Sequence, residues 1–149
     1  IKTQSLRDGR FFMFVKQLTV FVENKSGRVS DILDALGKAN IDISALSIAD
    51  TSDYGLMRMI TDEPQKAKEI LDGAGVAVKI TDALAVPIEN RPGGLADVMK
   101  RLKDGGVSVE YLYAFVGRKD GGALVVLKTD DNEKAEKIIR RCAECCGEK

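Results

Sequence analysis

The sequence predicts an α+β protein of two tandem units, each an antiparallel sheet with two helices on one face, and three observations predict it. The phrase Glu23-Asn24-Lys25-Ser26-Gly27-Arg28-Val29 returns as Glu89-Asn90-Arg91-Pro92-Gly93-Gly94-Leu95, 66 residues later (89 − 23). Around both copies, apolar residues alternate before the Asn and fall at helical spacing after the Gly, which reads as strand, tight turn and helix start. The register also holds well beyond the phrase. Val29, Ile32, Leu33 and Leu36 reappear as Leu95, Val98, Met99 and Leu102, and Ile41, Ile43 and Leu46 as Val107, Val109 and Leu112. From Leu56 the spacing becomes 68 (124 − 56), pairing Thr61, Asp62, Lys66, Ala67 and Ile70 with Thr129, Asp130, Lys134, Ala135 and Ile138. The slip lengthens loop 117–122, and such loops tolerate insertion.

The elements of the first unit follow in order. Residues 16–22 alternate Leu18, Val20 and Val22 against Gln17 and Thr19, a strand with one face on a core, although Phe21 breaks the polar face. Ser26 is placed to cap a helix whose buried stripe is Val29, Ile32, Leu33 and Leu36, and Asn40 marks its exit. Residues 41–49, rich in β-branched side chains, and 56–60 form a hairpin about the turn cluster 51–55. Asp62 and Glu63 ahead of Pro64 start a second helix with Ala67, Ile70 and Leu71 inside, ended by Gly73 and Gly75. Val76, Val78 and Ile80 then make a fourth strand. This is βαββαβ, the ferredoxin-like order.

The second unit repeats it with strand 84–88, helix 95–103, the Gly105-Gly106 exit, strands 107–116 and 123–128, and a helix from about Asn132 to Arg141. There the copy fails. The counterpart of the fourth strand is Glu144-Cys145-Cys146-Gly147-Glu148, charged and without β-branched residues, so the second unit is expected to lack its last strand. That loss would bare the edge of strand 84–88, and a neighbouring chain or the N-terminal extension is expected to cover it. The face carrying Val107, Val109, Tyr111, Tyr113 and Phe115 is expected to be an interface between sheets or subunits. The expected divisions are a tag or mobile extension over 1–12, unit 1 over 13–81 and unit 2 over 82–149.

Composition narrows the function classes. At 149 residues, 44% hydrophobic and 31% charged, the chain is globular, with room for two small units. Its 23 basic and 23 acidic residues cancel, so no global field draws it to nucleic acid or an anionic membrane. No apolar run approaches a bilayer span and no secretory leader is visible, which favours the cytoplasm. There is no His, and the three cysteines, Cys142, Cys145 and Cys146, are too few to complete a metal cluster, so no metal and no cofactor are expected. An RNA-binding version of the fold would carry aromatics on strand 56–60, and a metal chaperone would carry cysteines in the first turn; neither is present. An acylphosphatase-like loop is brushed by Ser26-Gly27-Arg28-Val29 with Asn24, but the second copy replaces Arg28 with Gly94. Obvious acid–base and nucleophilic pairs are missing, so no enzyme is expected.

The phrase kept twice, each time in the first turn of a βαββαβ unit, resembles the ACT domain, a small-molecule regulatory module of amino-acid metabolism. The resemblance runs from about Lys16 to Arg141 in two copies and is closest to stand-alone pairs described as amino-acid binding. It implies a free amino acid or similar metabolite held between two units, by the first turn of one and the start of the second strand of the other. By matching position, the turn residues are Asn24 and Gly27 in unit 1 and Asn90 and Gly93 in unit 2, and the strand-start residues are Asp42 and Ser108. The family often has Asn at the strand start, and some members have His just before the turn, where this chain has Val22 and Pro87. The residues suit that role. A helix N-terminus attracts a carboxylate, Gly admits close approach, Asp42 offers a partner to an α-ammonium, and Arg28, which opposes the helix dipole, makes sense beside an anion. The plainer alternatives are that the asparagines only close their turns, the glycines are conformational, and Asp42 and Arg28 are solvated charges. A homo-oligomer, a dimer by preference, is expected. The competing reading is a ligand-free interaction protein docking a metabolic enzyme through its sheet and helix faces.

Overall fold

The computed structural model describes residues 13–50, 54–116 and 123–146. The expected extension over 1–12 and the lengthened loop 117–122 lie outside the described residues. The elements are β1 (Met13–Glu23), α1 (Arg28–Lys38), β2 (Ile43–Asp50), β3 (Tyr54–Thr61), α2 (Pro64–Gly73), β4 (Val78–Ile88), α3 (Gly94–Asp104), β5 (Val109–Ala114), β6 (Ala123–Thr129) and α4 (Asn132–Cys146). By contacts the chain divides between Asp82 and Ala83, within β4.

Unit 1 has the strand order β2-β3-β1-β4. β1 runs antiparallel to β3 from Gln17 opposite Ile60 to Glu23 opposite Tyr54, and β2 pairs antiparallel with β3. The alternation read in the sequence is the cause: Leu18, Val20 and Val22 meet Met57 and Met59 on one face, and Ile32, Leu36, Ala67 and Leu71 of the two helices close over them. Fully burying a side chain such as Leu18, Leu36 or Leu71 contributes about 1.5–3 kcal/mol before entropy is set against it. Pro64 occupies the first turn of α2, where its missing N–H costs nothing. α1 unwinds through Asn40 in the left-handed region (φ 58), with Asn40 N donating to Gly37 O and Ile41 N to Leu36 O.

Unit 2 repeats the arrangement with the order β4-β6-β5. Leu84 and Val86 of β4 face Leu127 and Val125 of β6, and Val98, Leu102, Ala135 and Ile139 cover them. No strand follows α4 among the described residues, so this unit lacks its last strand; α4 instead runs to Cys146, five residues past its expected end. The edge of strand 84–88 that this loss would bare is covered from within the chain, by β1. Residues 13–15, which open β1, belong by contacts to unit 2, and β1 is the neighbour of β4 opposite β6. The opening of β1 thus stands where a fourth strand would.

The single face expected of Val107, Val109, Tyr111, Tyr113 and Phe115 needs correction. Val107 is buried and Val109 packs on the core of unit 2, while a register shift between Val109 and Tyr111 moves the later residues out of step. Tyr111 and Tyr113 therefore lie opposite Lys128 and Val126 and stack on each other at 6.5 Å. Unit 1 carries the same irregularity between Ile43 and Ala45.

Candidate functional site

The twice-written phrase folds to the same backbone twice. After β1, Lys25 N donates to Glu23 O (2.7 Å), Arg28 N to Lys25 O (3.3 Å), and Asp31 N to Gly27 O (2.9 Å) opens α1. After β4, Arg91 N donates to Glu89 O (2.9 Å), Gly94 N to Arg91 O (3.1 Å) and Asp97 N to Gly93 O (3.0 Å). Gly27 and Gly93 are the N-cap residues, at φ 87 and 84, a conformation that costs other L-residues about 1–2 kcal/mol. The cap expected of Ser26 is not made. No side chain caps either helix, because the left-handed glycine, one residue later, sets the turn through backbone bonds.

The side chains differ between the turns. In unit 1, Arg28 is the first residue of α1, and its Nε is shielded from water without a hydrogen-bond partner among the described residues. It borders a pocket of about 320 Å³ with Phe21, Val22 and Glu23 from the end of β1, Tyr54 from the start of β3, and residues 75–77 ahead of β4. Phe21 and Tyr54, each nearly half exposed, face one another at 6.1 Å and 59°, and Phe21 N donates to Ala77 O. The hydrogen bond from Lys25, then its charge and that of Arg28, hold the Glu23 carboxyl below the usual glutamate range. Lys25 Nζ lies 2.9 Å from Glu23 Oε2. Asn24 is exposed and makes no side-chain hydrogen bond among the described residues.

In unit 2, Pro87 and Gly94 stand at the repeat positions of Phe21 and Arg28. Gly94 is required by space, since an added Cβ would lie 2.2 Å from Glu89 O. Arg91 closes over the turn, its Nε bonded to Glu89 and its Nη2 to Asp97 Oδ2 at 2.6 Å. The bond to Glu89, then that to Asp97, raises the Arg91 pKa further above the ordinary guanidinium value.

Asp42 and Ser108 are engaged through their backbones. Asp42 N donates to Asp62 Oδ1 (3.0 Å) while Asp62 N donates to Asp42 O (3.2 Å). Ser108 N donates to Asp130 Oδ1 (3.0 Å) and Asp130 N to Ser108 O (3.1 Å). Both residues are exposed and sit just ahead of β2 and β5. Within unit 1 the whole of α1, 11 residues, separates Asp42 from Gly27. At 1.5 Å per residue that helix is about 16 Å long, so one unit does not bring Asp42 to its own turn. The same holds for Ser108 and Gly93 across α3.

Sequence reasoning missed Tyr54, residues 75–77 and the clasp by Asp62 and Asp130. The repeat pairs the two aspartates at 68 (130 − 62), and Phe21 interrupts a polar face; those were the available signals. Among the described residues no group of His, Cys, Asp and Glu is placed to hold a metal ion, and no helix is long and apolar enough to cross a membrane.

Comparison with known proteins agrees with this architecture. The family described as the ACT domain pair matches residues 13–145. Protein BT0572 from Bacteroides thetaiotaomicron has a similar solved structure, at 38% identity over 89% of this chain and 90% of that one, with a TM-score of 0.82. The ligand-free regulatory subunit of aspartate kinase from Thermus thermophilus is similar at 13% identity, over 87% of this chain and 95% of that one, with a TM-score of 0.62. Escherichia coli aspartokinase III in complex with lysine and aspartate is similar at 12% identity, over 92% of this chain but 32% of that one, with a TM-score of 0.52. The last two are likenesses of fold. No curated protein matches the chain. With the profile spanning both units and the glycine turn made twice, the chain belongs to the family of ACT domain pairs.

Proposed function

We propose that the protein is a non-catalytic regulatory module that binds a free amino acid or similar small metabolite at its glycine turns. The observation that carries this reading is the unit 1 turn, where a helix N-terminus without a side-chain cap and the Arg28 side chain flank one small pocket. Both groups stabilise a carboxylate. Asn24 and Gly27, and in unit 2 Asn90 and Gly93, form the near side of the site, while Asp42 and Ser108 serve the turn of a different unit, within the chain or in a second copy. A homodimer fits that geometry. The related fold in the regulatory subunit of aspartate kinase supports a regulatory role, and a metabolic enzyme is the natural partner. Ligand binding would act by favouring one packing of the units over another.

A thermal-shift screen of the twenty amino acids on the purified chain tests this. A ligand at a hundred times its dissociation constant stabilises by about 2.7 kcal/mol, a shift of several degrees. One clear hit supports the reading. No shift with any amino acid from a well-folded protein overturns it in favour of a ligand-free docking subunit.

A further inference from the structure

The two turns share a backbone but not a binding chemistry. In unit 1, the Arg28 side chain lines the pocket and makes no side-chain hydrogen bond or ion pair among the described residues. A carboxylate is the group that a guanidinium at a pocket wall binds best, since charge-assisted bonds to guanidinium are about twice as strong as neutral ones. Beside it the pocket of about 320 Å³ is at the small end of ligand sites, the size of one amino acid rather than a nucleotide. Its walls are unlike those of a polar anion site. Phe21 and Tyr54 present ring surface on one side, and Val76 lines another. Glu23 stands at the rim with its carboxylate paired to Lys25 Nζ at 2.9 Å. Unit 2 offers none of this at the matching positions: Pro87 replaces Phe21, Gly94 replaces Arg28, and Arg91, the nearest guanidinium, is already bonded to Glu89 and Asp97.

Resting on the reading that the module binds an amino acid, we propose that unit 1 alone holds it, one per chain, and that it is an α-amino acid with a large apolar or aromatic side chain. Its carboxylate pairs with Arg28 and its side chain lies against Phe21 and Tyr54 within the same unit. This narrows the two-turn reading, leaving the unit 2 turn with Asn90 and Gly93 as structure. Ring stacking on such walls contributes beyond simple burial, so the site discriminates by side-chain size and shape.

The test uses the full chain. Thermal shift against all twenty amino acids identifies the tightest binder, and calorimetry then compares wild type with Arg28→Met, Phe21→Ala and Arg91→Met, using that amino acid and its decarboxylated amine. The expected result is a preference for large apolar or aromatic side chains, a weakening of about tenfold or more in Arg28→Met and Phe21→Ala, and unchanged affinity in Arg91→Met. The amine should bind weakly to wild type and no more weakly to Arg28→Met. Equal losses in Arg28→Met and Arg91→Met would overturn the assignment to unit 1, and glycine and serine binding as tightly as phenylalanine would overturn the side-chain class, each leaving the amino-acid reading in place. A wild-type protein that binds none of the twenty overturns both.

Discussion

Gly94→Ala tests the asymmetry between the two turns, and its cost can be worked from the structure. The new Cβ would lie 2.2 Å from Glu89 O, 3.2 Å from Glu89 C and 3.4 Å from Ile88 Cγ2. The first is about 1 Å inside ordinary contact, and the obstacle is backbone, so no rotamer change relieves it. The turn must open, straining the Gly94 N to Arg91 O bond and the Arg91 bonds to Glu89 and Asp97. Overpacking typically costs about 1–3 kcal/mol and a weakened hydrogen bond about 0.5–1.5, so a loss of about 2–4 kcal/mol is expected. At the matching position of unit 1 the native residue already carries a Cβ, and Arg28→Ala, which also removes the unpartnered Nε, should destabilise by no more than about 0.5 kcal/mol. Urea unfolding of the full chain measures both, read as a change in midpoint at constant slope. A Gly94→Ala protein within about 0.5 kcal/mol of wild type would refute the reasoning, because the unit 2 turn would then accept an Arg28-like side chain without strain.

Further outcomes follow from the same contacts. Gly93→Ala meets only Arg91 Nη1, at an ordinary contact of 3.7 Å, but keeps φ 84, so it should cost about 1–2 kcal/mol by urea unfolding, less than Gly94→Ala. Leu36→Ala and Leu102→Ala, each fully buried under its helix, should each cost about 2.7–5.0 kcal/mol by the same measurement. Asp62→Ala and Asp130→Ala remove the acceptor for Asp42 N and Ser108 N at exposed sites, and each should cost about 0.5–1.5 kcal/mol. The folded-state pKa of Glu23 is lowered, so its contribution is complete above the ordinary glutamate range and is lost as pH falls through the folded value. The stability difference between wild type and Glu23→Gln should therefore be flat from neutral pH down to that range and shrink below it; a difference that grows on acidification contradicts the assignment.

The sequence was most informative where physics is local and repeated. Strand alternation at Leu18, Val20 and Val22, the helical stripe Ile32 and Leu36, and their copies at Leu84, Val86, Val98 and Leu102 placed both cores, because one-faced burial forces those periods. The missing last strand was legible from the charged, Gly-containing stretch after α4. Other features depended on backbone choices that composition does not encode. Ser26 looked like a cap, but the left-handed Gly27 one residue later took that position. The run Val107 to Phe115 looked like one face until the irregularity after Val109 put its tyrosines out of step with its valines. The pocket was least legible, since Phe21, Arg28, Tyr54 and residues 75–77 come from four separate elements and only their pairing across β1 and β3 brings them together. Of the seven residues singled out from the sequence, only Arg28 lines it.

The most direct measurement is a calorimetric titration of the 149-residue chain with the amino acid that gives the largest thermal shift, read for the number of sites per chain. The account predicts one, with affinity weakened about tenfold or more by Arg28→Met in a protein whose unfolding midpoint without ligand is not lowered. Two equivalent sites per chain, or undiminished binding to Arg28→Met, would contradict it.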